Sequence, residues 1–218
     1  MMVLFPVEIN AGVMMCANFK PIAKIQAYQL DMFEPTFDYR DDIYPGYTSP
    51  IIFKSESGWE WREAQFGLVP KWTDDKKFSR FTYNARTETV ASKPSFRESW
   101  ARSQFCLIPV QKIYEPKYIN GKAHSYGIER KDGEIFTIAG LYEITKIEDE
   151  IIRSFTMLTV NAEHHDMMKQ FHKPEDEKRS VVVVPKDLRD DWLSSNKQNA
   201  GEFFKLFDIE QYKQELKP

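Results

Sequence analysis

The order of the strand-like segments constrains the fold more than any other feature of the sequence. Short runs rich in apolar and β-branched residues follow one another with irregular loops between them, among them FCLIPVQKIYEP, SFTMLTVNA and RSVVVVP. Helix-like patterns mostly fall late, in PKDLRDDWLSS and NAGEFFKLFDIEQY. Because strands and helices do not alternate regularly, a parallel βαβ sheet is not expected. The pattern predicts an α+β fold: a single domain with a curved, barrel-like, mostly antiparallel sheet and flanking helices.

One dipeptide predicts how two of these strands are joined. Asp132-Gly133 stands between two stretches in which apolar residues alternate with polar ones. Asp-Gly suits the left-handed backbone of a tight two-residue turn. We therefore predict a β-hairpin across SYGIERKDGEIFTIAGLYEI.

Chain length and composition suit one domain with a sizeable core. The 218 residues are 42% hydrophobic and include 16 Phe, 10 Tyr and 5 Trp. No apolar run approaches the roughly twenty residues of a membrane-spanning helix, so no membrane partner is expected. Two cysteines do not make a disulfide framework, which predicts a reducing, cytoplasmic setting.

The charge distribution says more than the net charge of −3, which does not mark a nucleic-acid binder. The stretch from Phe66 to Cys106 carries eight basic and four acidic residues, a local net charge of +4. Charge alone leaves two interpretations open for this basic segment: a contact surface for an anionic partner, or an ordinary solvated face.

Cys16 directly follows two methionines. If translation begins at Met15, removal of that methionine leaves Cys16 with a free α-amine beside its thiol. If translation begins at Met1, Cys16 is an internal cysteine. The first fourteen residues lack a basic start and are interrupted by a proline and a glutamate, so they do not read as a secretory signal.

A small set of polar residues stands out as candidates for chemistry. Glu115 follows an apolar strand, between an aromatic residue and a proline. A part-buried carboxyl there would have the raised pKa that a general acid needs, but the spacing alone favours a strand-end glutamate facing water. His172 precedes a charged loop and a buried strand, which predicts a rim position. Asn84 and Arg86 are two residues apart and would face the same side of an extended segment.

The other thiol and the other histidines fit structural or surface roles. Cys106 lies in the apolar stretch QFCLIPV and is predicted to be a buried structural thiol. His164 and His165 are adjacent, so they would point in different directions, with surface or packing roles. His124 stands beside a turn and is predicted to be exposed. Phosphate-loop, paired-cysteine and HExxH motifs are absent from the sequence, so no cofactor or metal is expected.

Six segments occur in an order that resembles a known family. They are FGLVPKW, YNARTETVASKPSFR, FCLIPVQKIYEP, IAGLYE, SFTMLTVNA and FH followed by KRSVVVVP. With the Met-Cys pair ahead of them, they resemble the SRAP family, the SOS-response-associated peptidase proteins that shield abasic sites in single-stranded DNA. The resemblance runs from about Met15 to Leu193. A single piece such as YNAR is weak, whereas the ordered set is highly specific.

The resemblance implies four residues with chemical roles. Family members begin Met-Cys and lose the methionine, and Cys16 matches the cysteine that becomes residue one. Asn84 matches the asparagine of the N-A-R motif, which positions the cysteine. Glu115 matches the glutamate of the motif F/Y-Y-E-W, and His172 matches the histidine of the stretch I-H-x-R-M-P.

The implied chemistry requires an N-terminal cysteine. An abasic sugar equilibrates with an open-chain aldehyde, which an α-amine attacks to give an imine. The thiol of the same residue then closes a five-membered thiazolidine, an intramolecular step that proximity favours strongly. The resemblance therefore implies that residues 1–14 are a leader outside the mature protein, through an upstream start or, less favoured, self-cleavage before Cys16. Residues 15–218 would then form the SRAP-like domain.

The resemblance also implies a DNA-binding set. Arg86 matches a phosphate contact of the family, and Trp72 matches a tryptophan that packs against DNA bases. The family's C-G-R opening reads C-A-N here, so Asn18 replaces a phosphate-binding arginine, and Lys20 is a candidate to compensate. An acidic insertion follows His172. The remaining residues predicted to bind DNA are Lys71, Arg97 and Arg179.

Three functions from different classes remain open on the sequence. The first is a DNA-damage protein that crosslinks to abasic sites in single-stranded DNA through Cys16. The second is a cysteine peptidase, acting on other proteins or only on itself, with a thiol–imidazole site. The third is a non-covalent single-stranded DNA-binding module. We expect abasic single-stranded DNA as the partner, a monomer, and a cytoplasmic location with association to the nucleoid during DNA damage.

Overall fold

The computed structural model describes residues 16–217. Within them the chain forms eleven strands, two short α-helices and several 3-10 helices. The strands are β1 (Asn18–Pro21), β2 (Thr48–Ser55), β3 (Gly58–Phe66), β4 (Asn84–Arg86), β5 (Phe105–Ile119), β6 (Lys122–Arg130), β7 (Phe136–Ile147), β8 (Glu150–Asn161), β9 (Arg179–Val181), β10 (Val183–Val184) and β11 (Tyr212–Leu216). The α-helices are α1 (Arg97–Ala101) and α2 (Arg189–Ser194), and the 3-10 helices cover Lys24–Leu30, Lys76–Phe81, Met168–Gln170, Lys186–Leu188, Ala200–Phe203 and Ile209–Gln211.

Five of these strands close into a barrel. In order around it, β2 pairs with β3, β3 with β8, β8 with β7, β7 with β5, and β5 with β2 again. The pairings are antiparallel except for a short parallel one between β3 and β8, where Phe66 lies opposite Phe155. The predicted α+β fold with a curved, barrel-like, mostly antiparallel sheet is confirmed.

Strand β5 is long enough to pair with two different strands along its length. Its first half, Phe105–Val110, pairs with β7, and its second half, Ile113–Ile119, pairs with β6. The predicted hairpin, in which the strands on either side of Asp132-Gly133 pair with each other, is therefore wrong. The turn exists, with φ of 75° at Gly133, but the strands on either side of it bond to successive parts of β5 instead of to each other.

The tight hairpin of this region lies one turn earlier. Asn120 and Gly121 join β5 to β6, with φ values of 52° and 75°. Positive φ at both central residues is what a two-residue hairpin turn of type I′ requires, and Asn-Gly is its preferred sequence.

The C-terminal stretch differs from the two amphipathic helices predicted for it. The first is present as α2, whose Trp192 is buried and donates its indole N–H to the carbonyl of Cys106 at 2.8 Å. The second is replaced by two 3-10 turns and strand β11, which pairs with β6. Phe203 packs on Trp192 of α2, and Tyr212 packs on Phe136 of the barrel strand β7, so tertiary ring contacts outweigh local helix propensity here. No helix within residues 16–217 is long and apolar enough to cross a membrane.

The interior of the barrel is filled by aromatic rings. Phe66 meets Phe19 edge-on and stacks on Phe155, each with a centroid distance of 5.2 Å. Cys106 is fully buried in the same cluster, which confirms the prediction of a buried structural thiol. Cys16 belongs to this cluster too, so the candidate site lies against the core of the barrel.

Candidate functional site

Pairing between β1 and β5 brings two of the candidate residues together. Asn18 lies opposite Tyr114 in an antiparallel register, which places Cys16 beside Glu115. The thiol of Cys16 donates to the carbonyl of Asn18 at 4.0 Å, and hydrogen bonds between Cys16, through its backbone N–H and its thiol, and the Glu115 carboxyl shift the pKa values of both residues. One carboxyl thus contacts the two atoms of Cys16, nitrogen and sulfur, that a thiazolidine would use.

Glu115 is a buried acid. Its side chain is 2% exposed, which rules out the strand-end glutamate facing water that the spacing alone favoured. Burial raises the pKa of Glu115 to about 8, although the hydrogen bonds from Cys16 act in the opposite direction. The carboxyl is therefore mostly protonated at neutral pH, the state in which a general acid donates.

Cys16 is held as a thiol. Burial raises the pKa of Cys16 well above its ordinary value, and the charge and the hydrogen bond of Glu115 raise it further. A thiol in this environment differs from a cysteine poised as a thiolate, whose pKa is lowered by neighbouring cations. This arrangement suits an addition in which the sulfur loses its proton as the bond forms.

His172 reaches the same carboxyl from another part of the chain. Its Nε2 lies 3.5 Å from Oε2 of Glu115, with both side chains buried. The backbone N–H of His172 donates to the carbonyl of Pro116 at 2.7 Å, which ties the loop to β5 beside Glu115. His172 has φ of 62°, a left-handed conformation uncommon outside glycine. The sequence predicted a rim position, and the structure places this histidine inside.

Asn84 and Arg86 lie on β4, which pairs in parallel with β8. Ala85 between them is fully buried, whereas Asn84 is half-buried and Arg86 is exposed, as expected for alternating side chains of a strand. Tyr83, just before this strand, was not predicted. Burial raises the pKa of Tyr83, and the charges of Cys16 and Glu115 raise it further.

A cleft of about 550 Å³ opens beside Cys16. Cys16, Glu115 and His172 line it, and three tyrosines that the sequence analysis did not single out line its walls: Tyr44, Tyr114 and Tyr118. Two of these tyrosines flank Glu115 in IYEPKY, so the aromatic surroundings of that motif were the available signal. The remaining lining residues are Ala17, Asn18, Pro116, Ala123, Ser125, Lys173 and Asp176.

Most residues predicted to bind DNA are accessible. Lys71, Arg86 and Arg97 are exposed, and Lys20 is half-buried on β1. Trp72 is 51% exposed, and its ring packs edge-on against Phe78 with a centroid distance of 4.9 Å.

Two residues of the predicted DNA-binding set are instead engaged inside the protein. Arg179 is 2% exposed, and its guanidinium is held by Glu88 and Glu177. Asn18 is buried, with its amide N–H donated to the carbonyl of Ile43 and its Oδ1 accepting from Lys217. Burial and these partners occupy both side chains, so they are less accessible than the exposed members of the set, and their contact with DNA stays a prediction.

The other histidines lie outside this cluster. His165 is buried, and its ring bonds to the carbonyl of Phe207 and the backbone N–H of Met168, a packing role. His164 is exposed, and His124 is partly exposed on β6. These positions agree with the surface and packing roles that the sequence predicted.

A family model named SOS response associated peptidase (SRAP) matches residues 15–217. The chain belongs to the SRAP family. The match covers all the residues that the structure describes, so the resemblance found in the motifs extends over β1 to β11, and the recognition of the family is confirmed.

Individual SRAP relatives are moderately similar to this chain. Abasic site processing protein YoqW of Bacillus subtilis is 29% identical over 188 residues, which are 83% of this chain and 80% of that protein. Abasic site processing protein YoaM of the same organism is 28% identical over 173 residues, 78% of this chain and 73% of that protein. A crystal structure of a Bordetella bronchiseptica protein, 28% identical, has a TM-score of 0.86 over 93% of this chain and 100% of that chain.

Proposed function

We propose that this SRAP protein acts in the DNA-damage response by forming a covalent crosslink to abasic sites in single-stranded DNA. The observation that carries the proposal is the position of the Glu115 carboxyl, which contacts both the nitrogen and the sulfur of Cys16 while His172 lies 3.5 Å away. The names of the relatives, abasic site processing proteins, support the same class of substrate.

The proposed reaction joins Cys16 to the opened sugar in two steps. The α-amine of Cys16 attacks C1′ of the aldehyde, and loss of water gives an imine. The sulfur then adds to the imine carbon, its proton passes to the nitrogen, and a thiazolidine results. Both nucleophiles belong to one residue, so ring closure is intramolecular.

Glu115 and His172 have complementary roles in this proposal. Protonated Glu115 donates to the sugar oxygen as the ring opens, and its raised pKa keeps that proton available at neutral pH. His172 accepts and returns protons as the imine forms and reverses. Asn84 is proposed to position Cys16, and Tyr83 lies close enough to Cys16 and Glu115 for their charges to raise its pKa.

The proposal requires a free α-amine on Cys16. It therefore includes the expectation that residues 1–14 are not part of the working protein and that Met15 is removed. Residues 1–15 lie outside the described part of the chain, so the structure does not bear on this step. The mass of the N-terminal peptide of the protein from its native host tests it.

In this proposal the DNA crosses the exposed residues of the basic segment. Arg86, Lys71 and Arg97 would neutralise phosphates, since cations in such a groove provide most of the affinity for single strands. Trp72, which is 51% exposed, would stack on bases with the part of its ring that Phe78 does not cover.

A crosslinking assay tests the function directly. Protein that begins at Cys16 is mixed with single-stranded DNA containing one abasic site, and adducts that survive denaturation are counted by gel and mass spectrometry. We expect an adduct for this protein, none for a chain that keeps Met15, and none of comparable stability for Cys16→Ser. The proposal fails if the chain beginning at Cys16 gives no adduct.

The same experiment separates the crosslinking protein from the other two classes. Release of peptides from an added protein substrate would favour a cysteine peptidase, although the raised pKa of the Cys16 thiol disfavours the thiolate that such an enzyme uses. Tight binding of abasic DNA without any adduct would favour a non-covalent binding module.

A further inference from the structure

The loop after His172 carries three consecutive acidic residues and lies beside the cleft. Residues 173–178 read KPEDEK, and a turn in which the N–H of Asp176 donates to the carbonyl of Lys173 gives the loop a defined shape. Lys173 and Asp176 line the cleft that contains Cys16. With its two lysines the loop has a net charge of −1, and it brings one cation and one carboxylate to the cleft.

Glu177 in this loop binds the cation proposed to contact phosphate. Its Oε2 lies 2.8 Å from Nη1 of Arg86, while its Oε1 lies 2.7 Å from Nη1 of Arg179. One carboxylate thus bridges an exposed and a buried guanidinium. A carboxylate and a phosphate offer similar paired oxygens to arginine, so Glu177 occupies Arg86 in the way a phosphate would.

The loop is anchored where it meets Arg179. The buried Arg179 guanidinium also binds Glu88 through two contacts of 3.0 and 2.7 Å and donates to the carbonyl of Thr159 at 2.7 Å. Glu177 in addition accepts from the side-chain amide of Asn161 at 3.3 Å. These bonds hold the Glu177 carboxylate next to Arg86. Among the contacts of Glu177, the ion pair with Arg86 is the one that faces solvent.

We propose that Glu177 is a specificity-determining residue that mimics a phosphate and competes with DNA for Arg86. This inference rests on the proposed function, because it assigns a competitor to the same DNA-binding surface. A phosphate of undamaged DNA has to displace Glu177 before it can pair with Arg86, so undamaged DNA binds weakly. A strand with an abasic site is held by its covalent bond to Cys16 and does not need the phosphate contact with Arg86. The competition by Glu177 therefore favours damaged over undamaged strands.

Glu177→Gln tests the competition, because glutamine keeps an oxygen for Arg179 but loses the charge that holds Arg86. The matched control is Glu175→Gln, which removes the same charge from an exposed position of the same loop. Affinity for undamaged single-stranded DNA is measured by fluorescence anisotropy at several salt concentrations. We expect binding about fivefold tighter for Glu177→Gln than for Glu175→Gln at low salt, the size of one charge–charge contact near water, with the difference shrinking as salt screens it.

A double-mutant cycle shows whether Arg86 carries the effect. In an Arg86→Ala background, Glu177→Gln and Glu175→Gln should differ by less than about twofold, because the contact that distinguishes them is gone. Crosslinking to abasic DNA adds a second readout. Glu177→Gln should react faster at limiting DNA and reach the same maximal rate at saturation, since it changes binding and leaves the chemical residues intact.

The outcomes distinguish this inference from the function beneath it. If wild-type protein beginning at Cys16 crosslinks abasic DNA but Glu177→Gln binds no more tightly than Glu175→Gln, the phosphate-mimic role is wrong and the proposed function stands. If the wild-type protein neither binds single-stranded DNA nor forms an adduct, both proposals fall. Thermal unfolding of each variant verifies that the Arg179 network is still folded, and Glu177→Asp, which keeps the charge, should bind like wild type.

Discussion

At the scale of single residues, the site depends on one carboxyl whose surroundings differ from what its neighbours in sequence suggest. Glu115 lies between an aromatic residue and a proline at what looked like the end of a strand. In the structure β5 continues to Ile119 and β1 covers it, so the carboxyl is buried against Cys16 and His172. A buried carboxyl with a raised pKa arises here from strand pairing, because pairing removes water from a group that is otherwise ordinary.

The raised pKa of Glu115 predicts how stability depends on pH. In the unfolded chain this carboxyl ionises near its ordinary value of 4.5, whereas the folded chain keeps it protonated up to about pH 8. Between those values the folded state binds more protons, so the free energy of unfolding should fall as pH rises, by at most about 1.4 kcal/mol per pH unit. Glu115→Gln should remove this slope in urea unfolding measured from pH 4.5 to 8.

Other titratable groups that face Glu115 affect how the measured slope is interpreted. The pKa values of Cys16 and Tyr83 are raised above their ordinary values and so lie above this pH range, while His172 lies 3.5 Å from Glu115, so the slope is compared with that of Glu115→Gln in the same buffers. An unchanged slope in the variant would mean that Glu115 is ionised in the folded protein at neutral pH.

Replacing the histidine should slow the crosslink without abolishing it. His172→Gln leaves Cys16 and its hydrogen bonds to Glu115 intact but removes a proton carrier, which is worth about 10²-fold or more in rate. The matched control is His164→Gln at an exposed position. The rate of adduct formation at saturating abasic DNA is the measurement. Equal rates for the two variants would remove His172 from the mechanism.

At the scale of elements, a single glycine joins the barrel to the segment that carries the basic residues. Gly67 follows β3 directly, has φ of 101°, and donates its N–H to the carbonyl of Phe155 at 2.9 Å. The chain then passes under the 3-10 helix Lys76–Phe81, whose Ser79 backbone lies against Gly67. Both the left-handed backbone and the close approach require glycine here.

Gly67→Ala should therefore be severely destabilising. An added Cβ would lie 2.0 Å from the carbonyl oxygen of Ser79, so backbone has to move, and we expect a loss of about 3 kcal/mol or more in the free energy of unfolding. Gly133→Ala is the matched control: it also has positive φ, with nothing within 4 Å of the new Cβ, and should cost about 1 to 2 kcal/mol. Urea unfolding measures both. Similar losses of unfolding free energy in the two variants would show that the backbone at Ser79 shifts at little cost to make room for the new Cβ.

At the scale of the whole molecule, charge is segregated in a chain whose net charge is only −3. The basic segment places Lys71, Arg86 and Arg97 at the surface. Acidic residues of the loop after His172 neutralise part of this positive charge. Such segregation lets an acidic protein bind an anionic polymer on one face.

Removing one cation from this face should change the salt dependence of DNA binding. Arg97→Ala is expected to weaken binding to single-stranded DNA and to reduce the slope of log affinity against log salt by about 0.7, the value for one phosphate contact on a single strand. Lys146→Ala removes an exposed charge outside the basic segment and should leave the slope unchanged. Identical slopes for the two variants would place the DNA elsewhere.

The sequence was sufficient to predict the family, the class of fold and the candidate residues for chemistry. Strand-like segments without regular helices indicated an antiparallel barrel, because alternation of side chains is encoded locally. The ordered motifs identified Cys16, Glu115 and His172, because a motif is recognised from residue types and their order and does not require the three-dimensional positions. The Asp132-Gly133 hairpin was predicted wrongly because a turn is local, whereas the partner of each strand is chosen by the whole sheet.

Only the tertiary structure decided how these residues act. Whether Glu115 faces water or the core depends on β1, almost a hundred residues away in the chain, and its pKa follows from that burial. Whether Arg86 and Arg179 are available to a phosphate depends on Glu177, which the acidic loop brings to both. Desolvation and ion pairing are set by neighbours in space, so a one-dimensional pattern names the chemical groups and the fold assigns their protonation, their partners and their access to DNA.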